Sequence, residues 1–175
     1  MPQDPGRNQF EPVFNQLYEC HYTSLYAYFF GRTGDTEMAL DLLQETFTRA
    51  WRHIATLAEM EKSQHRYWLF SVAKNLFTDS LRRAARWQKV EAELLAAAQV
   101  AAQPPPDPIA IQQQLLLLEG AIAQLPEQLR VVLALSVLGG MNSTQIGEAL
   151  DMAAGTVRYQ LAVARKQLME HIEQG

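Results

Sequence analysis

Six basic side chains, Arg66, Lys74, Arg82, Arg83, Arg86 and Lys89, stand within one short stretch of this 175-residue chain, with Asp79 the sole carboxylate among them, a local charge of +5. Cations at that density suit phosphate, because guanidinium forks and ammonium groups pair with the backbone oxygens of a nucleic acid. The whole chain carries −4, so the remainder carries −9. Residues 1–65 hold five basic and nine acidic groups, and residues 90–175 hold four and nine. A pI of 5.6 taken alone argues against nucleic acid. The polarisation argues otherwise: it predicts a basic stripe shown to one partner and an acidic face shown to another.

Catalytic chemistry finds no comparable constellation. His21, His53, His65 and His171 are dispersed, without HExxH or paired-ligand spacing, and no Gly-rich phosphate loop or nucleophile elbow occurs. The chain is therefore expected not to be an enzyme and to have no metal site and no cofactor. The single cysteine, Cys20, excludes an internal disulfide and multi-cysteine metal sites, and is expected to be a small apolar core residue. With 48% apolar and 19% charged residues the chain reads as globular. Its apolar runs fall far short of the roughly 18 residues of a membrane span, so no membrane insertion is expected. The opening MPQDPGRNQ is polar, without a signal-peptide core, which makes the cytoplasm the expected compartment.

The elements that must carry these side chains are all helical. Strand-like alternation is missing, and apolar residues recur at three and four throughout, so the fold class is all-α. Phe10, Phe14, Leu17, Leu25, Tyr26 and Phe29 give a pair of turns ending near Gly31. From Asp35, the residues Ala39, Leu42, Leu43, Thr46, Phe47, Ala50 and Ile54 keep one face apolar for about five turns, with Gly34-Asp35 as the start signal. Leu69, Val72, Ala73, Leu76, Phe77 and Ser80 repeat the pattern and run into the basic stripe, and the alanine-rich stretch from Glu91 to Ala98 extends that helix.

Composition then breaks at AAAQVAAQPPPDPIA. Pro104, Pro105, Pro106 and Pro108 cannot continue a helix, and successive prolines favour an extended spacer. The expected organisation is two small helical domains, residues 10–95 and 113–173, joined by a Pro-rich linker at 96–112, with few contacts carried across it. Beyond the linker, Leu115–Leu125 and Glu127–Leu138 read as helices, with Pro126 in the first turn of the second. Asn142 stands three before Gln145 as a capping box for a helix through Leu150. After the turn Asp151-Met152-Ala153, Val157, Leu161, Ala164 and Leu168 stripe a last helix. Short helix, tight turn and longer helix make a helix-turn-helix pattern, whose second helix exposes Thr156, Arg158, Tyr159 and Gln160 near its amino end, where base edges are read. A plain αα-hairpin with a solvated polar face is the competing reading of that segment alone.

Taken in order, GDTEMALDLLQETFTRAW at 34–51, WLFSVAKNLFTDSLRR at 68–83 and LPEQLRVVLALSVLGGMNSTQIGEALDMAAGTVRYQLAVARKQL at 125–168 resemble regions 2 and 4 of the bacterial sigma-70 family of RNA polymerase sigma factors, in its extracytoplasmic-function (ECF) subfamily. The resemblance covers about Phe10 to Ile172. It implies a factor that binds core RNA polymerase through the beta-prime clamp and the beta flap, directs it to promoter DNA, and leaves room for an anti-sigma factor as a further partner.

Residue by residue, the resemblance implies that Asp41, Gln44, Glu45 and Thr48, which share one helix face, dock on the polymerase clamp. Leu40 stands where the family usually has glutamate. Lys74, Arg82, Arg83 and Arg86 are expected to hold phosphates of the minus 10 element, with Asn75 and Asp79 near that surface. The connection Thr56 to His65 is expected to capture an extruded base, at a cost of a few kcal/mol for flipping. Trp68 matches a core tryptophan, whereas Tyr67 is open between core packing and base stacking. Thr156, Arg158, Tyr159, Gln160 and Arg165 fall on the helix that reads the minus 35 element. There Gln160, Ala162 and Val163 replace residues that are usually basic or polar, and Ala153 replaces the usual serine cap, which predicts a weaker minus 35 contact. The rival of another class, a promoter-binding regulator working without polymerase, has no use for the DLLQETF and WLFSVAKNL segments.

Overall fold

The computed structural model describes residues 8–94 and 122–173; the linker at 96–112 and most of the helix expected over Leu115–Leu125 lie outside them. After a 3-10 turn at Asn8–Phe10 come α1 (Glu11–Thr33), α2 (Thr36–Arg52), α3 (Ile54–Glu59) and α4 (Lys62–Leu94), then α5 (Glu127–Val137), α6 (Ser143–Leu150) and α7 (Ala154–Glu173). No strand occurs among the described residues. The pair of turns expected upstream is one unbroken helix of 23 residues, because Gly31 lies within its last turn and the stop comes at Gly34. Gly34 adopts φ +67 and donates its N–H to the Phe30 carbonyl at 2.7 Å, a left-handed helix terminus. One residue on, the Asp35 carboxylate accepts from the Met38 N–H at 2.8 Å and opens α2.

In the second block the capping box forms as its spacing predicts. Asn142 Oδ1 accepts from the N–H groups of Thr144 and Gln145, and Gln145 Oε1 accepts from the Asn142 N–H. Pro126 sits at the cap of α5 rather than in its first turn. Asp151 takes the left-handed conformation at φ 57 and reverses the chain between α6 and α7. Gly147 makes that turn possible: a Cβ there would lie 2.5 Å from the Met152 carbonyl oxygen.

The core is one continuous cluster rather than two. Leu42, Leu43, Phe47, Leu57, Leu69, Phe70, Ala73 and Leu76 pack around α1, and Ile146, Val157, Leu161 and Ala164 pack around α5. Between them, α1 lies directly along α5. Ala27, Tyr28, Phe29, Phe30 and Gly31 are all buried, as are Val131 through Leu135. A helix apolar on every side must be covered on every side, and here each helix serves both its own block and the other. The expectation that few contacts cross between the blocks is corrected accordingly. Cys20 is also corrected: it is free and exposed, on the face of α1 that borders Lys62 and Arg66 across a shallow cleft.

Candidate nucleic-acid interface

The basic stripe is a consequence of one long helix. On α4 a residue advances about 100°, so Asn75, Asp79, Arg82, Arg83 and Arg86 fall within one face of the helix while Leu69, Ala73, Leu76 and Phe77 turn to the core. Asn75, Asp79, Arg82 and Arg83 are exposed, and the side chain of Arg86 lies outside the described residues. Arg82 approaches Asp79 at 3.5 Å with both groups well solvated, a geometry worth little in stability and readily exchanged for phosphate. Lys74 is exposed as well, but about a quarter turn round the helix, on the side that faces α6.

The connection expected to capture a base is more ordered than a loop. Thr56 to Glu59 belong to α3, Met60 and Glu61 make the break, and the remaining residues open α4. His65 is buried, and its Nε2 donates to the Leu57 carbonyl at 2.8 Å, tying α3 to α4. That places His65 in the scaffold of the connection and leaves the exposed Thr56, Ala58, Glu59 and Glu61 to solvent. Trp68 is half-buried against the core with the His53 ring 5.9 Å away. Tyr67, by contrast, is 55% exposed, as a stacking surface requires. Beneath this end of α4 lies His21, whose pKa is pushed down to about 4 by burial, by the neighbouring Arg66 and by His65, so the ring is neutral at pH 7.

On α2, Asp41 and Gln44 are exposed and Glu45 and Thr48 half-buried. Glu45 pairs with Arg49 at 3.1 Å and Thr48 Oγ1 donates to the Gln44 carbonyl. The four residues do share a face. That face adjoins something the sequence reading missed: an open aromatic groove of about 430 Å³ lined by Phe14, Tyr18, Tyr22, Leu40, Leu43 and Phe47 together with Gln44 and Thr48. Tyr18 and Leu40 are each 42% exposed. The signal was present in the i, i+4, i+8 spacing of Phe14, Tyr18 and Tyr22, a second apolar edge beside the stripe that reaches the core.

The helix-turn-helix places Thr156, Arg158 and Tyr159 on the outer face of α7, with Tyr159 at 71% exposure, and Arg165 exposed two turns on. Gln160 differs from the expectation. It is half-buried, its Oε1 is enclosed without a hydrogen bond, and it lines a cleft with Arg32, Gln128, Val131, Leu150 and Met152.

Comparison with known proteins identifies both blocks. The sigma-70 region 2 family matches residues 17–87 and the sigma-70 region 4 family matches residues 115–168. The ECF RNA polymerase sigma factor SigL of Mycobacterium tuberculosis is 35% identical over 156 residues, covering 89% of this chain and 86% of that protein. SigM of Bacillus subtilis, also an ECF sigma factor, is 29% identical over 157 residues, covering 89% and 93%. Among solved structures, the sigma factor RpoE of Bartonella quintana, crystallised with the anti-sigma factor NepR, superposes with a TM-score of 0.64 at 22% identity, over 92% of this chain and 97% of that one. At that identity the likeness is one of fold.

Proposed function

We propose that this chain, which belongs to the ECF subfamily of the sigma-70 family and directs RNA polymerase to promoters, does so with three surfaces carried on three helices. The α2 face of Asp41, Gln44, Glu45 and Thr48, widened by the aromatic groove beside it, docks core polymerase. The α4 face of Asn75, Asp79, Arg82, Arg83 and Arg86, joined by Lys74, holds the minus 10 element. Thr156, Arg158, Tyr159 and Arg165 on α7 meet the minus 35 element. The observation that carries the reading is the exposed row of Asn75, Asp79, Arg82 and Arg83 on α4, with the solvated Tyr67 nearer the start of the same helix.

The division of chemistry follows from the groups present. Guanidiniums on α4 anchor phosphates and set register without reading sequence. An extruded base needs stacking and edge contacts to repay unstacking, and Tyr67 supplies a face for the first. On α7, Arg158 and Tyr159 stand at the amino end of the helix where such helices meet base edges. The residues named here bind polymerase and DNA, the work of a non-catalytic factor acting in the cytoplasm. An anti-sigma factor is a fitting further partner; the Bartonella protein was crystallised with one, NepR. Equilibrium titration of labelled chain with core polymerase, followed by promoter opening on a fork-junction DNA, tests the reading: saturable binding that brings strand opening supports it, and absence of both refutes it.

A further inference from the structure

The connection between α3 and α4 hangs between two buried side chains. Leu57 is fully enclosed and His65 is 9% exposed, while Ala58, Glu59, Glu61, Lys62, Ser63 and Gln64 between them face solvent and Met60 is half-buried. At six residues α3 is far shorter than the roughly 12 to 15 that a helix needs to hold by itself, so its place depends on what ties it down. Ile54 and Leu57 give it apolar contact. The rest comes from the backbone. The last carbonyls of a helix have no partner within it, and here the Leu57 carbonyl accepts twice, from the Met60 N–H at 3.2 Å and from His65 Nε2 at 2.8 Å. The first bond ends α3. The second crosses to α4 and closes a loop of eight positions.

The residue type shows what the position requires. Phenylalanine or leucine would fill the same enclosed space without desolvating an imidazole, a cost that a hydrogen bond offsets. Histidine here therefore exchanges plain packing for a directed tie. Because a carbonyl can only accept, Nε2 carries the proton. The tie fixes the end of α3 against the first turn of α4 and so sets the path of the residues between, whose carboxylates, amide and hydroxyl can meet the edges of a base. Trp68, three positions on along the same helix face, is half-buried with the His53 ring 5.9 Å away, and the adjacent Tyr67 is exposed.

We propose that His65 is a positioning residue for base capture: its bond to the Leu57 carbonyl holds residues 57–65 in the shape that receives an extruded base, and His65 itself does not touch DNA. The proposal rests on the sigma-factor reading of this connection. Extrusion is unfavourable until the base is received, and a receiving surface already in its bound shape loses less freedom on contact than one that must be ordered first. The tie supplies that order in the free chain. Binding of phosphates by the α4 row does not use it.

Full-length variants assembled with core polymerase test this on fork-junction DNA. His65→Phe and His65→Leu keep an apolar side chain in the enclosed space and lose the donor; His65→Gln keeps a donor. An abasic scan of the nontemplate strand with wild type first finds the captured position, as the one whose base contributes most to affinity. Each variant is then titrated against the fork with that base and against the fork without it. His65→Phe and His65→Leu should lose about fivefold in the ratio of the two affinities, the equivalent of one net hydrogen bond, with unchanged affinity for the abasic fork. His65→Gln should recover most of the ratio. An unchanged ratio in either apolar variant that assembles, an equal loss on both forks, no recovery with glutamine, or failure of both apolar variants to assemble with core would each overturn the proposal and leave His65 a packing residue. A wild-type scan in which no abasic position weakens binding is a different failure: it contradicts base capture by this connection, and the proposal falls with it.

Discussion

Arg130 and Gly31 are 99 positions apart in sequence and joined by a 2.8 Å hydrogen bond, the guanidinium of the second block resting on the last turn of α1 in the first. The bond joins the first helix of the region 2 block to the helix that packs against α7 in the region 4 block. Whatever displaces one block therefore acts on the other.

A chain cut within the proline segment 104–108, at an introduced protease site, should consequently stay together. Gel filtration of the cleaved protein is expected to give one species containing both fragments, and separate elution of the two would show that the α1–α5 contact does not hold without the connection.

The two DNA-facing surfaces should respond differently to substitution. Arg82→Ala with Arg83→Ala removes phosphate partners, so transcription should collapse at every cognate promoter and the salt slope of binding should fall by about one unit per contact. Arg158→Ala should instead alter preference at one position by roughly 1 to 3 kcal/mol and impair mainly promoters that rely on a minus 35 element. The reverse pattern, with the double variant normal and Arg158→Ala inactive everywhere, would exchange the assigned roles.

Charge reversal of Asp41 and Glu45 to lysine should weaken core binding with helicity intact. Replacing the half-buried Glu45–Arg49 pair by a like-charge Lys–Arg pair costs α2 about 0.5 to 1 kcal/mol, too little to unfold it. Circular dichroism and a core polymerase pull-down check the two halves of this statement; undiminished capture would remove the α2 face from the docking surface.

Acid should weaken the first block through His21. Its pKa is lowered from 6.5 to about 4 in the fold, so between those values the unfolded chain takes up a proton that the folded chain refuses. Stability contributed by the neutral ring is present above about pH 6.5, falls as pH drops towards 4, and changes no further below. The melting temperature of wild type should keep a constant offset from that of His21→Gln above pH 6.5 and fall relative to it between pH 6.5 and 4; parallel curves across that window would remove His21 as the cause.

Much of the architecture was legible from local chemistry. The Asn142–Gln145 box, the Gly34-Asp35 boundary and the Val157, Leu161, Ala164 stripe each depend on neighbours a few residues away, and such signals survive in a linear reading. The closed contact was not read, although AYFFG and VVLAL are apolar on all faces and so demanded cover from two directions. Periodicity reports which face is buried and is silent on what buries it. The half-burial of Gln160 was not read for the same reason: its position near the amino end of α7 is as expected, but Arg32 and Val131 come from elements that only tertiary packing brings there. Cys20 was assigned by residue type, and type lost to position on a helix face left uncovered beside Lys62.

The most direct measurement of the central claim is run-off transcription by core RNA polymerase on fragments of the source genome, with and without this protein. Discrete transcripts starting at defined positions should appear only when the full chain is added, and should vanish with the Arg82→Ala, Arg83→Ala protein. Transcripts that are the same with and without it, from a protein shown to bind the same fragments unaided, would contradict the account and leave a DNA-binding regulator in its place.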